Sequence, residues 1–273
     1  MKLTYLGTAA AEGFPAVFCN CEYCREARRL KGKNIRTRSQ ALINNDLLID
    51  LPADTYMHFL NNDIEGDKIK YLLITHSHSD HFYVKELLMR YAPYAHNMQS
   101  DRLQLYCGKG VKSILAKTEG IEQCTVDFKV FIPFETAVLG EYTVTALPAK
   151  HFEGDGALFY IIQKDKTILY AHDTGFFYED VFAFIKDKGY CFDLISLDCT
   201  NIDIPISDNG GHMGIDNINR VVNRLWDMGA ISNQTQIVIN HFSHNGAPIH
   251  HRLEERVSCY DYTVSYDGFS IDL

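Results

Sequence analysis

Two apolar rhythms alternate along this chain: short runs bounded by turn residues, and longer stretches whose apolar positions recur at helical spacing. Lys2 to Leu6, Tyr71 to Ile74, Val126 to Ile132, Tyr142 to Ala146, Leu158 to Ile162, Thr167 to Tyr170, Leu194 to Leu197 and Gln236 to Ile239 read as strands. Ala41 to Ile43 and Leu47 to Ile49 flank the polar turn Asn44-Asn45-Asp46, which predicts a hairpin. Gln163-Lys164-Asp165-Lys166 predicts a second tight turn. Asp267-Gly268 predicts a third, pairing Thr263 to Tyr266 with Phe269 to Ile271. Helical spacing covers Ala27 to Lys31, Thr55 to Leu60, Val84 to Tyr91, Phe177 to Lys186, Ile215 to Trp226 and Ile249 to Ser258. Strands precede helices in each half, and no linker, low-complexity segment or clear repeat interrupts the chain. Periodicity permits several α/β architectures. Two β-rich halves with helices outside suggest a four-layer αββα sandwich, a single domain over 1–273.

Composition narrows the partners. The apolar fraction of 46% is ample for a core. Acidic residues outnumber basic ones, 35 to 26, for a net charge of −9. A polynucleotide-binding protein usually carries a basic field, so no nucleic acid polymer is expected. A small phosphorylated substrate needs only a few local cations and stays open. No apolar stretch approaches the ~20 residues that span a bilayer, and Met1 to Phe18 lacks a signal-peptide h-region. The expected location is the cytoplasm, where the eight cysteines stay reduced and clustered thiols are more often metal ligands than disulfides.

The chemistry concentrates just after the run Tyr71 to Ile74. His76-x-His78-x-Asp80-His81 packs four strong ligands into six residues, and imidazole with carboxylate suits zinc, manganese or iron. A strand end holds such groups still while presenting them to a cleft. Upstream, Cys19-x-Cys21-x-x-Cys24 makes a partial tetrahedral zinc site that lacks one ligand. Cys107, Cys124, Cys191, Cys199 and Cys259 read as core or surface thiols.

The motif His76-x-His78-x-Asp80-His81 resembles the signature of the metallo-β-lactamase superfamily, unbroken. The resemblance implies the α/β metallo-β-lactamase fold and further ligands downstream. His151 would join His76 and His78 in a first metal site, and His241 would join Asp80 and His81 in a second. Asp173 would bridge the two sites, with its neighbour His172 as a rival. Asp50 matches an early supporting aspartate, although Leu51-Pro52 follow where the family usually has glycine. Two ions so bridged hold a hydroxide at neutral pH and polarise the bond under attack, and Asp80 would orient that hydroxide.

The stretch from Gly7-Thr8-Ala9-Ala10 to Cys24, with Arg25 and Ala27-Arg28-Arg29, is similar to the phosphodiesterase branch of the carbon–phosphorus lyase pathway. That branch implies a structural zinc held by Cys19, Cys21, Cys24 and a late histidine, for which His244 is the best candidate. It also implies a dinuclear site often active with manganese, and hydrolysis of small, often cyclic, phosphodiesters. His212, in Gly210-Gly211-His212-Met213, resembles the branch's loop histidine, which binds phosphate or protonates the leaving group. Asp198 would support the site, while Arg36, Arg38 and Lys150 are candidate anion contacts. Candidate partners are a small phosphodiester and a second copy of the chain, with no membrane. Other readings on the same scaffold are a thioesterase, a lactonase, a β-lactamase or a transfer-RNA processing nuclease. A non-hydrolytic protein of pyrroloquinoline quinone biosynthesis shares the Gly13-Phe14-Pro15 and Cys19-Asn20-Cys21 features but has an altered metal motif.

Overall fold

The computed structural model describes all 273 residues. The first half supplies β1 (Lys2–Gly7), β2 (Gln40–Ile43), β3 (Leu47–Ile49), β4 (Tyr71–Ile74), β5 (Leu103–Cys107) and β6 (Val126–Val130). The second half supplies β7 (Thr136–Leu139), β8 (Tyr142–Pro148), β9 (Leu158–Gln163), β10 (Thr167–Ala171), β11 (Leu194–Asp198), β12 (Gln236–Asn240), β13 (Thr263–Val264) and β14 (Phe269–Asp272). The helices are α1 (Glu22–Leu30), α2 (Thr55–Asn61), α3 (Lys109–Leu115), α4 (Glu179–Lys188), α5 (Ile215–Asp227) and α6 (His250–Val257). No helix is long and apolar enough to cross a membrane.

The strands form two seven-stranded sheets, β14-β1-β2-β3-β4-β5-β6 and β13-β12-β11-β10-β9-β8-β7. Strand periodicity explains the layering. In β10, Ile168 and Tyr170 face the other sheet, where they pack with Leu3, Tyr5, Ile43 and Leu73. The alternate residues Leu169 and Ala171 face Phe182 and Ile185 of α4 and Val221 of α5. On the outer face of the first sheet, Leu48, Leu72 and Leu105 pack with Val111 and Leu115 of α3. Two sheets face to face with helices outside make the four-layer αββα sandwich of the metallo-β-lactamase fold.

Several local expectations are corrected. Asp267-Gly268 does not turn a hairpin. β13 pairs in parallel with β12, and β14 pairs antiparallel with β1 in the other sheet. The segment between them crosses the sandwich, pinned where Asp267 accepts hydrogen bonds from Thr8 Oγ1 (2.7 Å), Thr37 N (2.7 Å) and Thr37 Oγ1 (2.6 Å). The stretch Val84–Arg90 winds as a 3₁₀ helix. α1 starts at Glu22, five residues before the expected helical stretch Ala27 to Lys31, because the Cys21 sulfur caps it by accepting from Cys24 N. β5, β7 and α3 have no counterpart among the expected elements.

Candidate metal centre

The site lies at one edge of the sandwich, where the carboxyl ends of strands from both sheets meet. Asp50 follows β3, His76 to His81 follow β4, His151 follows β8, Asp173 follows β10, and His241 follows β12. Three of these residues adopt left-handed backbone conformations: Asp50 (φ 66°), Asp173 (φ 49°) and His241 (φ 65°). Aspartate and histidine tolerate that region better than most residues, and here it turns the side chain out of the strand direction toward the cleft.

Four of the five histidines commit one ring nitrogen to an outer partner and turn the other inward, while His78 turns its Nδ1 inward. His76 Nδ1 meets Thr75 Oγ1 (3.1 Å), and His81 Nδ1 meets the Asp50 carboxylate (2.7 Å). His151 Nδ1–H donates to Gly211 O (3.1 Å), and His241 Nδ1 meets Thr200 Oγ1 (2.8 Å). The inward atoms then form two groups. His78 Nδ1 lies 2.9 Å from His76 Nε2 and 3.2 Å from His151 Nε2. His81 Nε2 lies 3.3 Å from both His241 Nε2 and Asp80 Oδ2. Asp173 stands between them. Its Oδ1 is 4.0 Å from His76 Nε2 and 3.8 Å from His151 Nε2, while its Oδ2 is 3.0 Å from Nε2 of both His81 and His241.

This geometry fits divalent ions. Nitrogens at about 2.05 Å around a tetrahedral ion sit roughly 3.3 Å apart, close to the separations here. Asp173 Oδ2 is the sharper test. It is buried and has two imidazole nitrogens at 3.0 Å, yet it closes a hydrogen bond with neither. An oxygen this close to two imidazole nitrogens, and bonded to neither, suits a site it shares with them around one ion. Burial works to raise the Asp173 carboxyl, but His241 and His81 outweigh it and hold the group well below its ordinary value. The same contest, decided by His81, keeps Asp80 ionised. Burial pushes His76 well below the usual imidazole value, leaving it neutral as a ligand must be.

Beside these groups stands His212. Its Nδ1–H donates to Asp198 Oδ2 (2.9 Å), and its ring lies 4.7 Å from His151 and 5.6 Å from His241. Burial disfavours the charged ring, but the charge and hydrogen bond of Asp198 raise it to about 9. Asp198 also accepts from Asp173 N (3.0 Å), Thr200 N (3.0 Å) and Met213 N (3.0 Å). One buried carboxylate thus orients Asp173, the His212 loop and, through Thr200, His241. The two loops meet so closely that a Cβ at Gly175 would sit 1.8 Å from the carbonyl oxygen of Gly210.

A separate cluster unites Cys19, Cys21, Cys24 and His244, whose ligand atoms all lie within 4.8 Å of one another. Burial opposes ionisation of Cys21, but the Cys24 amide and His244 bring its thiol down to about 6, while burial pushes Cys24 up to about 12. Three sulfurs and an imidazole gathered this closely are a donor set that suits a tetrahedral cation such as zinc.

Four candidates lie elsewhere. Arg36 is 2% exposed and spends its guanidinium on Thr8 Oγ1, Ser265 O and His250 Nδ1, so it is structural. Arg38 pairs with Asp54 (3.0 Å). Lys150 Nζ donates to Asp208 O and caps the Tyr178 ring. His172 is buried against Ser196 and Asn240, away from both clusters, and burial lowers it to about 3.

Sequence reasoning missed Thr200 and Asp155. Asp155 is buried, and its carboxylate accepts from Ser77 N (2.9 Å) and Ser77 Oγ (2.5 Å), the residue between His76 and His78. A lone aspartate in a glycine-flanked loop carries no signal for that contact.

A family model described as a beta-lactamase superfamily domain matches residues 48–234. The chain is similar to the solved structure of a diphosphatase from the PhnP family (19% identity, TM-score 0.76), covering 100% of this chain and 97% of that one. It is similar to zinc-bound PqqB from Methylobacterium extorquens (20% identity, TM-score 0.70), with 100% of both chains covered. It is also similar to the short form of human tRNase Z (16% identity, TM-score 0.65), covering 100% and 99% of the two chains. No curated protein matches the sequence significantly.

Proposed function

The chain belongs to the beta-lactamase superfamily, and from that premise we propose that it hydrolyses small phosphodiesters, cyclic ones included. It would hold two divalent ions, manganese or zinc, one with His76, His78, His151 and Asp173, the other with Asp80, His81, His241 and Asp173. A structural zinc would sit at Cys19, Cys21, Cys24 and His244. Two divalent ions there would activate water at neutral pH and polarise the ester under attack. Asp80 would orient the attacking water.

The observation that carries the ester reading is His212. A departing alkoxide needs a proton, and a histidine held protonated by Asp198 beside the paired clusters can deliver one from Nε2, which makes no other hydrogen bond. A thioester releases a good leaving group that needs no such acid. Cys19 to Cys24 and His244 add rigidity, since His244 lies just beyond His241 and a zinc there would tie the N-terminal loop to that strand end.

The test is hydrolysis of bis(p-nitrophenyl) phosphate by protein reconstituted separately with manganese and zinc. Controls are p-nitrophenyl phosphate, a thioester, and an organic diphosphate, the last prompted by the PhnP-family diphosphatase. Metal-dependent turnover chiefly of the diester supports the reading. Turnover only of the thioester or only of the diphosphate overturns it while leaving fold and metals in place.

A further inference from the structure

The residue next to His151 plays no part in the site as described. Phe152 is 61% exposed, belongs to none of the buried apolar clusters, and has one aromatic neighbour, the ring of His78, at 5.5 Å and 54°. Its loop is pinned at both ends. On one side the His151 imidazole donates to Gly211 O. On the other, Asp155 holds Ser77 through its carboxylate and accepts from Gly110 N (2.9 Å) through its carbonyl. Gly154 (φ 88°) allows the tight bend between the pins, and Gly156 (φ 71°) continues it just beyond the second. A large ring is therefore carried into solvent beside the first cluster by a constrained loop, with no core to pack in. Ordinary folding gains nothing from that placement, whereas a ligand with a flat face would cover the ring.

We propose that Phe152 is a stacking platform for a planar group on the substrate, so that the phosphodiester carries a nucleobase or aryl substituent rather than being wholly aliphatic. This rests on the phosphodiesterase reading. Stacking on a single aromatic side chain is worth roughly ten-fold in affinity, and the π-face rather than an edge is read, so either planar source satisfies it.

The test compares AMP, phenyl phosphate and ribose 5-phosphate as ligands of the manganese-loaded protein by calorimetry. At least one planar ligand should bind about ten-fold tighter than ribose 5-phosphate. A lead for AMP identifies a nucleobase, and a lead for phenyl phosphate an aryl group. Phe152→Ala should erase the preference without changing the affinity for ribose 5-phosphate, and Phe152→Tyr should restore it. With bis(p-nitrophenyl) phosphate, Phe152→Ala should raise KM roughly ten-fold and leave kcat within about two-fold. Equal affinities in the unaltered protein, or a preference that survives Phe152→Ala, overturn the proposal. If diesters are nonetheless hydrolysed, the phosphodiesterase reading stands. If no phosphate ester binds or is hydrolysed, both fall.

Discussion

Replacing Asp155 with alanine removes the two hydrogen bonds that hold Ser77 between His76 and His78. Each is charge-assisted, and such bonds contribute about 1.5–3 kcal/mol. Ser77 is only half-buried, so water replaces part of the loss. A net relaxation of roughly 2 kcal/mol in the turn remains, which matches the 10–100-fold loss of metal affinity typical when an outer partner of a ligand is removed. The loss should be selective. His76, His78 and His151 all depend on this turn or on the loop that carries Asp155, whereas His81 is held by Asp50 and His241 by Thr200. Metal titration followed by elemental analysis should therefore find one active-site ion weakened about 10–100-fold and the other nearly unchanged. Asp155→Asn should fall between, since its amide can still accept one bond. Equal weakening of both ions, or an unchanged titration, would refute the claim that Asp155 positions the first site.

Other consequences are as direct. Asp80→Ala should lower kcat/KM on a diester by at least about 100-fold, because it removes both a ligand and the group orienting water. Its apo-protein melting temperature should stay close to that of the parent, and full activity would end the proposed mechanism. Cys21→Ser should act on stability first, lowering it by at least about 2 kcal/mol and leaving one fewer zinc per chain by elemental analysis. Unchanged zinc content would remove the structural site. His58 is buried between Gln40 and Thr37, and burial lowers its imidazole from 6.5 to about 4. The folded state therefore binds this proton less readily than the unfolded one. Its stabilisation is complete above about pH 6.5 and is lost as pH falls toward 4, by up to roughly 3 kcal/mol. In urea titrations of apo protein, His58→Gln should gain on the parent by about that amount over this window. Parallel curves for the two proteins would contradict the sign. Asp267, raised to about 6 by burial, acts in the opposite direction and is common to both.

Local signals explain what could be read in advance. The paired histidines at 76 and 78, with Asp80 and His81, sit on consecutive residues, so chain spacing alone brings them together. The downstream candidates His151, Asp173 and His241 became visible through motif order and strand-end position, and the structure brings all three beside the motif. Arg36 and Arg38 show the opposite case. A positive charge in a loop looks like an anion contact, and only the tertiary structure reveals that one is buried against Thr8 and His250 and the other is paired with Asp54. Asp267-Gly268 carries a strong hairpin signal, yet the carboxylate is claimed by Thr8 and Thr37 from distant segments, and these contacts override the local turn preference. Asp155, Thr200 and the exposed ring of Phe152 lacked any sequence signal, because each acts across loops far apart in the chain.

The left-handed residues connect strand ends to chemistry. Non-glycine residues in such conformations cost of order 1–3 kcal/mol each, and three sit in or beside the paired clusters. The surrounding bonds show what holds them there. Asp50 accepts from Thr75 N (2.8 Å) and Thr75 Oγ1 (2.9 Å) and meets His81 Nδ1. Asp173 donates its own amide to Asp198 Oδ2, and His241 is anchored through Thr200 Oγ1. Each strained residue is thus fixed by partners on a neighbouring strand end, outside the cleft. The inward-facing atoms are left free of the bonds that hold the backbone in place. This explains why Asp173 Oδ2 can stay buried and unbonded at 3.0 Å from two imidazoles. The network that offsets the strain is complete without that atom, so the oxygen stays free to share an ion with both imidazoles.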